Sequence, residues 1–217
     1  MHPEFDLETV DRLLGTTRAV RRRLDLQRAV PREVILDCLR LAQQAPSGTN
    51  RQGWRFLVVT DPRKRAGLAE LYRRSFGPYL EARRAETQPG DATRERLLAS
   101  ASHLADHLAE VPVHVIPCIR ARLPEKATNA AAAGLYGSIF PAVWSFQLAL
   151  RSRGLGSVLT TLHLAYEREA AALLGIPDSV SQVGLVPVAY TTGGSFKPGP
   201  RQAFDEFVCW ERWSDGG

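Results

Sequence analysis

The chain has 217 residues, 44% hydrophobic and 24% charged, with a net charge of +5. A chain of this length buries roughly 70% of its unfolded surface, so it needs neither disulfides nor metal to fold. Cys38, Cys118 and Cys209 lie far apart without CxxC spacing, which excludes a disulfide framework and predicts buried or inert thiols.

No run reaches the roughly 18 apolar residues of a membrane span. The opening MHPEFDLETVDRL is acidic and lacks the apolar core of a signal peptide, so the expected compartment is the cytoplasm and no membrane partner is expected.

The spacing predicts a short helix over 6–14, followed by the basic stretch TTRAVRRR from Thr16 to Arg23. Pro31 opens a second helix whose apolar positions Val34, Cys38, Leu41 and Ala45 follow helical spacing, and Pro46 ends it. WRFLVVT, Trp54 to Thr60, reads as a buried strand. Asp61 and Pro62 start a helix expected to reach about Ser75. Residues 76–99 read as two helical pieces around the Gln88–Asp91 turn, before a helix carrying Leu97, Ala101, Leu104 and Leu108. VPVHVIPCI, Val111 to Ile119, is the second strand.

Ala130 to Arg153 is the longest helical pattern, apolar nearly all round and so expected to be buried. Gly154 and Gly156 end it, and Ser157 to Thr161 forms a short strand or extended turn. A helix over 165–174 stops at Gly175. QVGLVPVAY, Gln182 to Tyr190, is the third clear strand, and Pro187 places it at an edge or bulge. The tail from Thr191 brings Phe204, Phe207, Trp210 and Trp213 on a segment with little core of its own, which suggests packing on a second subunit. No linker or repeat interrupts the chain, so residues 1–217 read as one α+β domain with 191–217 as a C-terminal arm.

Four stretches can carry chemistry. Arg18, Arg21, Arg22 and Arg23 are either a solvated basic turn or a phosphate site, since guanidinium matches phosphate oxygens. Elsewhere acids interleave with the arginines, so a single bound phosphate is favoured over nucleic acid. In APSGTNRQGWRF, Ser47, Thr49, Asn50 and Gln52 supply donors and acceptors while Gly48 permits close approach, forming either a capped turn or a wall for a flat polar ligand. RGLGSVLTTL carries Thr160 and Thr161, and KPGPRQAFDE carries Arg201. His103 and His107 lie four apart without a third ligand, so no metal site is expected. No GxSxG or HExxH occurs.

Together these stretches resemble the flavin-dependent nitroreductase family from about Thr16 to Trp213. TTRAVRRR is similar to that family's Arg-Arg-Ser-x-Arg, which grips the FMN phosphate; Arg18 and Arg21 match two arginines, Thr17 and Ala19 replace an arginine and the serine, and Arg22 is the substitute if the loop shifts by one. APSGTNRQGWRF is the most specific match, with Thr49 for a glycine and Gly53 for a proline; the resemblance places Pro46, Ser47, Gly48, Asn50 and Gln52 over the flavin of the opposite subunit. It further implies Thr160, Thr161 and Leu162 at the reactive edge, with the backbone N–H groups of Thr161 and Leu162 near N5 and O4, and Arg201 on the phosphate.

The resemblance implies a nitroreductase-like α+β fold: a central, mostly antiparallel sheet flanked by helices, in an intertwined homodimer with two FMN sites. The implied activity is hydride transfer from NADH or NADPH through FMN to a nitroaromatic, quinone or similar acceptor, with residues 76–103 shaping the substrate mouth. Reductive dehalogenation, flavin fragmentation and a non-catalytic flavin carrier or regulator are the alternatives.

Overall fold

The computed structural model describes residues 4–88 and 90–214. Helix α1, Leu7–Thr16, precedes α2, Arg32–Ala42, which buries Ile35, Cys38 and Ala42 on one stripe. Strand β1, Trp54–Val59, leads to Asp61, whose carboxylate accepts the Lys64 N–H at 2.9 Å and caps α3, Pro62–Ala85.

The predicted end of this helix near Ser75 is not found. The apolar stripe of Leu68, Leu71 and Tyr72 continues to Phe76, whose ring stacks on Tyr72 with centroids 6.0 Å apart, and that burial carries the helix through Pro78. The two separate pieces expected over 76–99 are the end of α3 and the start of α4, Ala92–His107, which Asp91 caps.

Strand β2, Val113–Ile119, is followed by α5, Asn129–Ser152, capped by Thr128. Then come β3, Leu155–Ser157; α6, Glu167–Leu174, closed by Gly175 at φ 70; β4, Ser181–Gln182; β5, Val186–Tyr190; and the short α7, Phe204–Phe207.

The sheet order is β1-β2-β5-β3 with every named pair antiparallel, and β4 also pairs with β2. Alternation along β2 splits the core. Ile116 and Cys118 face the layer of α3, α4 and α6, whereas Val113, Val115 and Ile119 face α2 and α5. The sheet is therefore covered by helices on both faces.

Three expectations change here. The third strand is broken: Val115 to Cys118 on β2 lies opposite Val186 back to Gln182, one residue more, so a bulge sits around Gly184. Pro187 itself lies inward of that bulge, in a strand flanked by β2 and β3, not at an edge. Its missing N–H coincides with the gap in the β3 side of the ladder, between Val188 opposite Ser157 and the reciprocal Thr160–Leu185 bonds of 2.9 and 2.8 Å.

Second, β1 is a half-buried edge strand rather than a buried one, with Arg55 and Val58 exposed. Third, α5 is buried only from Ile139 onward; its first half, including Tyr136, is exposed. Cys38 and Cys118 are buried, and burial raises their thiols to about 11 and about 12, while Cys209 is exposed.

Candidate functional site

The basic stretch is pinned to the sheet. Ala19 bridges Ser157 in parallel and the Val20 N–H donates to Ser157 O at 2.9 Å. The approach requires Gly156: a β-carbon there would lie 2.7 Å from Thr191 Cγ2 and 2.9 Å from Val20 Cγ1. The arginines on either side of buried Val20 are thereby fixed at their roots.

Arg18 turns toward the tail. Its Nη1 donates to Lys197 O at 2.9 Å, and its guanidinium lies against Gly199. Arg201, two residues on, is exposed and donates to its neighbour Pro200 O at 2.8 Å. Arg18 and the loop carrying Arg201, separated by almost the whole chain, thus form one cationic pole.

Arg21 and Thr160 lie near Tyr72, a buried phenol; burial holds the Tyr72 pKa above its ordinary value. Arg22 reaches the other way, with Nη2 at 3.5 Å from Ala99 O on α4. Arg23 ties down the tail by donating to Thr192 O at 2.7 Å and to Gly194 O, with its guanidinium 4.0 Å over the Phe196 ring.

Thr160 pairs with Leu185, after which Leu162–Tyr166 form a 3-10 turn. The leading N–H groups of such a turn have no partner within it, so Thr161 and Leu162 present backbone donors at its mouth. Sequence reasoning missed what lies behind this turn. His163 is fully buried, Glu167 Oε1 accepts the Gln182 N–H at 3.0 Å, and Glu167 Oε2 meets Arg122 Nη1 at 2.9 Å. Its polar residues looked like ordinary helix surface in the sequence, and no local signal marks them.

The SGTN segment is a strained bend. Gly48–Asn50 form a 3-10 turn in which Thr49, Asn50 and then Gln52 take φ of 50, 53 and 48. Three left-handed residues without glycine's freedom cost about 1 kcal/mol or more each. The bend is held by Ser47 Oγ, which accepts the Gln52 N–H at 3.2 Å, by Gln52 Nε2 donating to Asn50 Oδ1 at 2.9 Å, and by the Gly48 N–H donating to Ser138 Oγ on α5 at 3.1 Å. The bend therefore presents exposed polar groups from a fixed frame. It borders a cleft of about 460 Å³ with Arg120, Arg122 and Leu135.

Within one chain the structure groups Arg18, Arg21, Thr160 and the 197–201 loop around β3. Ser47 to Gln52 stand apart, against α5, and no described hydrogen bond links the two groups. His107 is paired with Glu110 at 2.8 Å, its ring 4.5 Å from that of His103.

Comparison with known proteins agrees with this architecture. The Nitroreductase family model matches residues 15–190. An iodotyrosine deiodinase from Thermotoga neapolitana is 28% identical over 160 residues, 74% of this chain and 77% of that protein. The crystal structure of an oxidized iodotyrosine deiodinase bound to FMN and 3-iodo-L-tyrosine superposes with a TM-score of 0.66 at 25% identity, covering 93% of this chain and 98% of that one. The FMN-dependent nitroreductase NfnB from Mycobacterium smegmatis, in complex with NADPH, gives 0.68 at 20% identity over 95% of this chain and 100% of that one.

The chain belongs to the nitroreductase family, a family of FMN-dependent flavoprotein oxidoreductases. Among its described residues, no helix is long and apolar enough to cross a membrane.

Proposed function

We propose that this protein is an FMN-dependent oxidoreductase that takes hydride from NADH or NADPH and reduces an electron-poor acceptor such as a nitroaromatic or a quinone. The observation that carries the reading is the cationic pole: Arg18 is held on Lys197 O at 2.9 Å beside the loop of Arg201, in a chain of nitroreductase fold. When bound, FMN supplies reversible hydride chemistry at its ring.

The residues present fit that group. Arg18 and Arg201 would bind the phosphate as charge-assisted donors. Arg21, steadied beside Tyr72 and Thr160, would face the ring, and the N–H groups of Thr161 and Leu162 would stabilise negative charge on its edge. The Ser47–Gln52 bend would close the site from a second subunit, shielding it from water.

The homodimer is supported by exposed apolar surface in three places: the first half of α5 with Tyr136, the open edge of β1, and the arm with Phe204, Phe207, Trp210 and Trp213. A solvated monomer with these groups bare is a poor solution for burial of apolar area.

A second reading is reductive dehalogenation. It is favoured by the deiodinase relative at 28% identity and by the 25% identical deiodinase structure holding 3-iodo-L-tyrosine. Purification followed by a visible spectrum, then NADH and NADPH oxidation with a nitroaromatic, a quinone and a halophenol as acceptors, separates the readings. A yellow protein that turns over none of the acceptors would be a flavin carrier; a chain unable to take up FMN would end both enzyme readings.

A further inference from the structure

One short segment, residues 182–185, grips the donor turn at both ends. At its start the Thr160 N–H donates to Leu185 O at 2.9 Å, and the Leu185 N–H donates back to Thr160 O at 2.8 Å. At its end Glu167 Oε1 accepts the Gln182 N–H at 3.0 Å, and Glu167 O accepts from Gln182 Nε2 at 2.9 Å. The bulge around Gly184 lies between the two grips and packs closely: a β-carbon there would lie 2.5 Å from Leu159 Cδ1 and 3.3 Å from Thr160 O. Glu167 is fixed in turn, because Oε2 meets Arg122 Nη1 at 2.9 Å.

His163 lies between these grips, inside the Leu162–Tyr166 turn, and is wholly buried. It follows directly on Thr161 and Leu162. Gln182 and Glu167 lie near its ring, and burial holds its pKa down at about 4, so the imidazole is neutral near pH 7. A neutral imidazole carries one N–H donor and one acceptor nitrogen. Gln182 Oε1 is a buried acceptor that takes no other hydrogen bond, which makes the ring and the amide polar neighbours in the interior. Desolvating both groups is unfavourable, and a leucine would fill the place without that cost. What the pair adds is direction, because a buried polar contact specifies one orientation where apolar packing allows several.

We infer that His163 is a positioning residue: braced by Gln182, it fixes the orientation of the Thr161 and Leu162 N–H groups and so sets how much more tightly the site holds reduced than oxidised FMN. This rests on the proposed oxidoreductase reading. Donors preorganised toward negative charge favour the reduced ring, so tilting them weakens the reduced form more than the oxidised one. That difference is read directly as a reduction potential.

The test is the FMN reduction potential of the purified holoprotein, measured by equilibration with a reference dye, beside the affinity for oxidised FMN from fluorescence titration. His163→Leu should weaken binding of the reduced form about tenfold relative to the oxidised one, which lowers the potential by about 30 mV. His163→Gln, which keeps a donor, should retain most of the parent potential. Gln182→Leu should move the potential in the same direction, and it carries the test if His163→Leu does not fold. The two leucine substitutions together should shift it by less than the sum of their separate effects, as groups acting through one contact do. An unshifted potential overturns the inference. So does equal weakening of both redox forms, which marks a merely structural role, or a His163→Gln shift as large as that of His163→Leu. A chain that takes up no FMN would end the oxidoreductase reading along with the inference, whereas a flavoprotein with the parent potential in every variant would end the inference alone.

Discussion

The Arg18 guanidinium rests on Gly199: a β-carbon built on Gly199 would lie 2.5 Å from Arg18 Nη2. The first motif of the chain and its last glycine-proline loop are thereby pressed together. The contact is with the far end of a flexible side chain, so Gly199→Ala should leave the thermal midpoint nearly unchanged while turning Arg18 out of place. The expected outcome is several-fold weaker FMN retention, read by equilibrium dialysis. Unaltered retention would mean that Arg18 does not serve the phosphate.

Charge-neutral replacement of both arginines is the stronger version. Each charge-assisted hydrogen bond contributes about 1.5–3 kcal/mol, so Arg18→Gln/Arg201→Gln should weaken FMN binding at least about tenfold. Flavin fluorescence titration measures this directly. A double variant with the parent affinity would move the phosphate elsewhere.

Gly156→Ala should behave differently. Its β-carbon meets Thr191 Cγ2 at 2.7 Å and Val20 Cγ1 at 2.9 Å in packed core. Overpacking of this kind costs about 1–3 kcal/mol, and it also separates Val20 from Ser157. Urea denaturation should therefore show a lower midpoint together with FMN loss, whereas a midpoint within error of the parent would contradict the close packing.

Two buried histidines predict the acid response. Burial pushes His114 and His163 down to about 4, below the ordinary value of about 6.5. His114 is also near Arg65, which lowers it further, while Leu108 O hydrogen-bonded to Nε2 opposes the shift; Glu167 opposes it at His163. A depressed histidine means that the unfolded chain binds more protons, so stability is complete above about pH 6.5 and falls as pH drops toward 4. Each contributes a loss of up to about 2 kcal/mol by pH 5. His163→Gln should flatten part of the slope of unfolding free energy against pH. An unchanged slope would remove His163 from the account.

The aromatic arm predicts assembly. Phe207 and Trp210 are exposed in the single chain, so Phe207→Ser/Trp210→Ser should leave the monomer folded but shift sedimentation from dimer to monomer and reduce FMN content. A dimer of unchanged affinity would show that the arm is not part of the contact.

The sequence by itself determined the elements whose signals are local. Helical spacing marked α2, apolar β-forming runs marked β1 and β2, and Asp61 with Pro62 marked the start of α3, because caps and periodicity act within a few residues. It also carried the family resemblance, which the Nitroreductase family model bears out over residues 15–190.

Only the tertiary structure decided where long-range burial overrides local preference. Phe76 packing on Tyr72 carried α3 through Pro78, and pairing with both β2 and β3 put Pro187 inside the sheet. The junction of Arg18 with Gly199 and the buried His163 likewise depend on chain segments far apart in sequence. Those contacts arise from how apolar faces close over one another, and no window of a few residues holds that information.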